Sequence, residues 1–209
     1  MSMSESTIDS FINELSSSAP VPGGGGASGL VAAVGMSLSN MVMALTTGKK
    51  KYAEYQEEIE SIIDNANAIT RELLDAMDKD AKAFEPLSKA YGLPKTTEEE
   101  IAHRNAVLED ASKAASEAPL DLMEKIVNAI EVTDRVAEIG SKLAISDAGV
   151  AAQCLKAALN GASLNVFINT KMMKDRDTAK AYDERADKMI AVGNETADKV
   201  FESVLSMVR

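Results

Sequence analysis

The chain has 209 residues, of which 22 are Lys or Arg and 33 are Asp or Glu, a formal net charge of −11. That balance argues against nucleic-acid binding, which wants a basic face. Apolar residues make up 45%, so a core can form; aromatics make up only 4%, with no Trp, while Ala and Met abound. Such a composition disfavours sandwiches and barrels, and it favours helices packed through small side chains and adaptable Met.

One cysteine, Cys154, excludes an internal disulfide and Cys-based zinc sites. One histidine, His103, excludes His-rich metal sites. The first residues, Met1-Ser2-Met3-Ser4-Glu5-Ser6, carry neither a basic stretch nor an apolar run, so no signal peptide is read there and the expected compartment is the cytoplasm.

The predicted elements are helical throughout. Ser6-x-x-Asp9 fits a capping box, followed by Ile8, Phe11, Ile12 and Leu15 at helical spacing, and the helix stops in Ser16–Pro22. Four glycines, Gly23, Gly24, Gly25 and Gly26, come next. Leu15 to Gly48 is a run of 34 residues without a charge. Within it, about Ser28 to Thr47 reads as a helix apolar on every side, which suits the buried centre of a bundle or, second, a membrane span. Ser37, Ser39, Asn40, Thr46 and Thr47 interrupt the run and favour the buried centre.

A long helix is predicted from about Tyr52 to Ala90, with an apolar stripe of Ile62, Ala66, Ile69, Leu73, Met77, Phe84 and Leu87 and a kink at Pro86. Tyr91-Gly92-Leu93-Pro94 ends it. Thr97-x-x-Glu100 starts a helix expected to end near Pro119, and a separate helix is expected over about Leu120 to Ile139. After a break at Gly140–Asp147 with a Ser146-Asp147 cap, a helix rich in small residues runs from about Ala148 to Thr170, and the last from about Asp177 to Met207. The expectation is an all-α bundle of about six or seven helices around a buried uncharged central helix, with residues 1–209 as one unit.

Asp80 occupies the gap in the apolar stripe between Met77 and Phe84. A buried carboxylate is costly unless it is paired. Either it serves as a general base or as a partner for a cationic substrate, or it pairs with a core lysine or lies at the stripe's edge. Gly23 to Gly26 precede a helix start, where backbone N–H groups suit an anion; the alternative is a connector that permits close packing. Lys49, Lys50 and Lys51 form the only dense basic run. They read first as a solvated helix end and second as a holder of carboxylate or phosphate. Asn40, Asn165 and Asn169 sit among apolar or small neighbours, where amides either read the edge of a flat heterocycle or bond across helices. Asp147 reads first as a cap and second as a site residue. His103, near Glu99 and Asp110, reads as surface, and Cys154 as packing.

Taken together, Ser18-Ala19-Pro20-Val21-Pro22-Gly23-Gly24-Gly25-Gly26-Ala27 and the uncharged helix running into Thr46-Thr47-Gly48-Lys49-Lys50-Lys51-Tyr52 resemble the opening of the cyclodeaminase/cyclohydrolase family. The likeness continues through Asp80-Ala81-Lys82-Ala83-Phe84, Tyr91 to Glu100, Ser146 to Ala152 and Gly161 to Asn169, so it covers nearly the whole chain. The resemblance implies an all-helical homodimer acting on folate-bound one-carbon units, with Asp80 as the catalytic acidic residue. Lys49 to Lys51 and the amides of Gly23 to Gly26 would hold glutamate carboxylates, Asn165 and Asn169 would position the pterin, and Asp147 would join the substrate-binding set. A tetrahydrofolate derivative would be the substrate, with no cofactor and no metal required. One departure stands out: the family usually has Gly-Asn before Ser-Asp, whereas here Gly140 is followed by Ser141-Lys142-Leu143. The expected reaction is hydrolysis of methenyltetrahydrofolate. Deamination of formiminotetrahydrofolate, or folate binding without turnover, are the alternatives.

Overall fold

The structure, a computed structural model, describes residues 2–209. It is built from six α-helices: α1 (Ile8–Leu15), α2 (Gly24–Ala44), α3 (Gln56–Tyr91), α4 (Glu98–Ile139), α5 (Ile145–Thr170) and α6 (Arg176–Val208), with short 3-10 turns at Met3–Glu5, Lys50–Tyr55 and Lys142–Ala144 and no strand among the described residues. The all-α bundle read from the sequence is the fold.

α2 is its centre. The helix is long and apolar enough to cross a membrane by length and composition. Here it packs against α3, α4 and α5, burying Ala32, Ala33, Met36, Val42 and Met43. Large buried side chains such as Met36 and Met43 each contribute about 1.5–3 kcal/mol by leaving water. Close approach depends on small residues. A Cβ on Gly35 would lie 2.9 Å from Leu155 Cγ and 3.0 Å from the Ala151 carbonyl oxygen, so α2 and α5 touch nearly backbone to backbone. Gly24 lies beside Asn165, Gly161 beside Ser28 and Gly35 beside Cys154 and Leu155, so the two helices run antiparallel. A buried hydrogen bond of 2.8 Å between the hydroxyls of Ser39 and Thr133 ties α2 to α4.

Several boundaries differ from the sequence-based expectation. α1 is capped by Thr7, which accepts from Ser10 N–H, and not by a Ser6-x-x-Asp9 box; α3 begins at Gln56 and not Tyr52; and α2 ends at Ala44 and not Thr47. α2 starts at Gly24, not near Ser28, because the glycines themselves form its first turn. α4 runs unbroken from Glu98 through Pro119 to Ile139, so two expected helices are one. Proline removes the helical hydrogen bond to the carbonyl four residues earlier, which is that of Ala115. Here Asn169 Nδ2 from α5 donates to that carbonyl at 2.8 Å, so the group is satisfied across the helix interface and the helix continues. α5 is preceded by a 3-10 turn and has Ala144, not Ser146-Asp147, at its start; Asp147 sits in its first turn, where a negative charge suits the helix dipole. The capping box of Thr97 and Glu100 forms as read, with Glu100 N–H donating to Thr97 Oγ1 at 3.1 Å and Thr97 N–H to Glu100 Oε2 at 3.0 Å.

Candidate functional site

At the N-terminal end of α2 a cavity of about 200 Å³ is bounded by Pro20, Val21, Gly23 to Gly25, Asp80, Phe84, Ala115, Asn165, Ile168 and Asn169. Four elements meet there. The Pro-Gly segment and the first turn of α2 form one wall. α3 presents Asp80 and, one turn on, Phe84. α4 contributes Ala115, and the C-terminal half of α5 contributes Asn165, Ile168 and Asn169.

Asp80 is the only charged side chain of this cavity. It makes no hydrogen bond or ion pair with any described residue, and burial pushes its carboxyl above the ordinary carboxylate range. The alternative of a core lysine partner is therefore removed: the carboxylate faces the cavity. Gly25 is set against it so closely that a Cβ at that position would run into the carboxylate. The first hydrogen bond of α2 runs from Ala27 N–H to the Gly23 carbonyl at 3.0 Å, so the amides of Gly24, Gly25 and Gly26 lie before it and carry the positive end of the helix.

Both asparagines are oriented by backbone. Asn165 Nδ2 donates to the Gly161 carbonyl at 3.2 Å, and Asn169 Nδ2 donates to the Ala115 carbonyl at 2.8 Å. One N–H of each amide is engaged in this way, so each side chain keeps Oδ1 as an acceptor and a second N–H as a donor. The cavity thus combines an anionic carboxylate and two neutral acceptors with one helix N-terminus. It suits a flat, N–H-bearing heterocycle with a delocalised positive charge. A neighbouring groove of about 430 Å³ shares Pro20, Val21 and Phe84 and continues past Lys82, Ser88 and Lys89. Lys89 is engaged by Glu85 at 2.6 Å, while Lys82 makes no ion pair among the described residues.

Other expected site residues lie elsewhere. Lys49 to Lys51 follow the C-terminal end of α2, and 21 helical residues at about 1.5 Å each put them roughly 30 Å from the cavity within one chain. Lys49 Nζ donates instead to Ser141 Oγ at 3.1 Å, and Lys51 lies 5.5 Å from the ring centre of Tyr52. Asp147 is at the same remote end, because α5 runs antiparallel to α2. Ser141, the departure from the family pattern, is there too, its N–H donating to Thr46 Oγ1 at 2.8 Å. Asn40 bonds across helices, Nδ2 to Asn67 Oδ1 at 2.9 Å, and reads no cavity. His103 is exposed and Cys154 half-buried. Sequence reasoning passed over Phe84 as a site residue, although it follows Asp80 by one helical turn. It also passed over Ile168 and Ala115, which carry no polar signal at all.

A family model described as formiminotransferase-cyclodeaminase matches residues 7–188. The chain is 38% identical, over 97% of its own length and 97% of the other, to a methenyltetrahydrofolate cyclohydrolase of Methylorubrum extorquens. It is 32% identical over 83% of its length to a formimidoyltransferase-cyclodeaminase of Rattus norvegicus, of which it spans 32%. Its fold matches the crystal structure of a formiminotetrahydrofolate cyclodeaminase from Thermotoga maritima with a TM-score of 0.87, at 27% identity and over 98% of both chains.

Proposed function

The chain belongs to the formiminotransferase-cyclodeaminase family, and on that premise we propose that it hydrolyses 5,10-methenyltetrahydrofolate to 10-formyltetrahydrofolate in the cytoplasm. The observation that carries this reading is Asp80, an unpaired and partly desolvated carboxylate in a cavity with no other charge. The substrate is a cation, its charge spread over N5, the methenyl carbon and N10. A carboxylate held without a protein partner attracts such a cation far more strongly in a dry cavity than in water. The similarity to a cyclohydrolase of the same length supports hydrolysis over deamination.

The chemistry follows. A water oxygen bonds to the methenyl carbon while Asp80 takes one of its protons, giving a neutral carbon that bears OH, N5 and N10. The C–N5 bond then breaks as N5 receives a proton from Asp80. The hydroxyl proton leaves as C=O forms on N10, and Asp80 returns to its anionic state. One water is consumed and one proton is released. A carboxyl whose affinity for protons is raised by burial suits both halves of this relay. The Oδ1 atoms of Asn165 and Asn169 are placed to accept from the amino and ring N–H groups of the pterin, and the Phe84 groove is the route for the aminobenzoyl-glutamate tail.

The structural likeness to a formiminotetrahydrofolate cyclodeaminase favours a second reading, in which N10 attacks the formimino carbon and ammonia departs with a proton from Asp80. Loss of the methenyl absorbance and ammonia release, followed on their respective substrates, separate the two. Hydrolysis without ammonia formation is the expected result, and ammonia release alone refutes the primary assignment.

A further inference from the structure

The first turn of α2 has no side chains of its own to hold it in place. Gly24, Gly25 and Gly26 form it, yet it lies directly on a carboxylate. A Cβ on Gly25 would overlap Asp80. One turn on, a Cβ on Gly29 would stand 3.0 Å from Met77 Cγ and 3.1 Å from the Leu73 carbonyl oxygen. Gly25 and Gly29 thus seat α2 on Leu73, Met77 and Asp80, spaced by four and three along α3. Burial disfavours the charged form of Asp80, so its carboxylate would gain if this turn lifted and water entered. Within the bundle the turn receives two holds. Ser28 Oγ donates to the Gly24 carbonyl at 2.8 Å, and Asn165 of α5 lies 3.4 Å from where a Gly24 Cβ would stand.

The third hold comes from outside the bundle. A Cβ on Gly26 would stand 3.8 Å from Met3 Sδ and 3.4 Å from Pro22 Cβ, so Met3 covers the outer face of the turn. Met3 opens the 3-10 turn Met3–Glu5, which a capping box between Ser2 and Glu5 keeps folded. That segment is tied to α3 and not to α2. Ser2 Oγ donates to Asp78 Oδ2, and Met3 N–H donates to Asp78 Oδ1 at 3.0 Å. It therefore bridges the two helices, with its polar groups on α3 and its methionine on α2.

Asp78 and Asp80 stand two residues apart in opposite environments. Hydrogen bonds from Ser2 and Met3, aided by the charge of Lys82, hold the Asp78 carboxyl below the ordinary range, whereas burial holds that of Asp80 above it. One carboxylate is engaged as an anchor and the other is left free to react.

We propose that Asp78 is a positioning residue: through Ser2 and Met3 it clips residues 2–5 over the first turn of α2, and this clip keeps Gly25 closed down on the Asp80 carboxylate. Breaking the clip lets the turn lift and water reach Asp80, which weakens the pull of that carboxylate on a cation. The consequence for catalysis rests on the reading of Asp80 as the proton-transfer group; the clip itself does not.

Melting tests the clip without reference to activity. Asp80→Asn removes the buried charge and raises the melting temperature at neutral pH. That gain is measured in the wild-type chain, with Asp78→Ala and with Asp78→Asn. Alanine removes both acceptors. Asparagine also removes the charge but keeps both bonds, Oδ1 accepting from Met3 N–H and Nδ2 donating to Ser2 Oγ. The expected gain with Asp78→Ala is about half the wild-type gain or less, and with Asp78→Asn about the wild-type gain. Met3→Ala keeps the N–H and loses the side chain over Gly26. It should act like Asp78→Ala, and it decides the matter if the alanine variant at 78 does not fold. On methenyltetrahydrofolate, kcat should fall about fivefold or more with Asp78→Ala or Met3→Ala and stay within about twofold with Asp78→Asn. An equal gain in all backgrounds overturns the proposal. So does Asp78→Asn matching Asp78→Ala, since the charge and not the bonds would then matter. No gain even in the wild-type chain overturns it as well, because no charge would then be closed off. The expected melting pattern in a protein that does not turn over this folate would refute the assigned reaction and spare the clip.

Discussion

Replacing Asn169 with leucine removes one donor from a place where no other is available. Pro119 has no N–H, so the Ala115 carbonyl depends on Asn169 Nδ2, 2.8 Å away, and Ala115 and Asn169 are both buried. An unsatisfied buried carbonyl costs about 1–3 kcal/mol, and for a chain of this size each kcal/mol moves the melting temperature by about 2–4 °C. Asn169→Leu should therefore melt about 2–12 °C below the wild type. Adding Pro119→Ala supplies the missing N–H to the same carbonyl. In the Asn169→Leu background it should recover more stability than it adds to the wild-type protein, with a coupling of about 1 kcal/mol or more. Circular-dichroism melting of the four proteins gives the cycle. Turnover provides the control: both Asn169→Leu proteins stay impaired, because the Oδ1 acceptor is gone whether or not the helix is repaired. Effects that add to within about 0.5 kcal/mol would refute the link between the proline and the asparagine.

Gly25→Ala places a methyl group in the space of the Asp80 carboxylate. It should lower turnover at least tenfold while melting changes by no more than about 3 kcal/mol in free energy, since the carboxylate can swing into the cavity; unaltered kinetics would show that the close approach has no role. The pH dependence of stability follows from the raised Asp80 carboxyl. The folded chain holds that proton to higher pH than the unfolded chain, so stability falls as pH rises through the window from about 3.9 up to the raised value. Asp80→Asn should accordingly melt higher than wild type at neutral pH, with the difference closing below pH of about 4; a lower melting point at pH 7 contradicts the desolvation argument. Tetrahydrofolate at about 100 times its dissociation constant should stabilise the protein by about 2.7 kcal/mol, read as a thermal shift, and no shift at saturating ligand would remove the folate site.

Much of this site was legible because its main signals are local. Asp80 breaks a stripe spaced by threes and fours, Gly23 to Gly26 precede a helix start, and Asn165 and Asn169 stand one turn apart on a helix of small residues. What the sequence hid is set by helix length and by neighbours distant in the chain. Lys49 to Lys51 follow the glycines closely in motif order, but a straight helix of 21 residues separates them in space. Pro119 looked like a helix end because the group that covers Ala115 lies 54 residues further along the chain. Asp147 looked like a cap, yet the 3-10 turn at Lys142–Ala144 moves the start of α5 ahead of it.

The central claim is that the carboxylate of Asp80, held without a partner inside a helical cavity, performs the proton transfers of a folate reaction. The decisive measurement is the rate of methenyl absorbance loss for Asp80→Asn beside wild type, with circular dichroism on both. Loss of general-base catalysis predicts a fall of about 10²–10⁴ in kcat with an unchanged helical spectrum, whereas wild-type turnover by the asparagine variant would contradict the account.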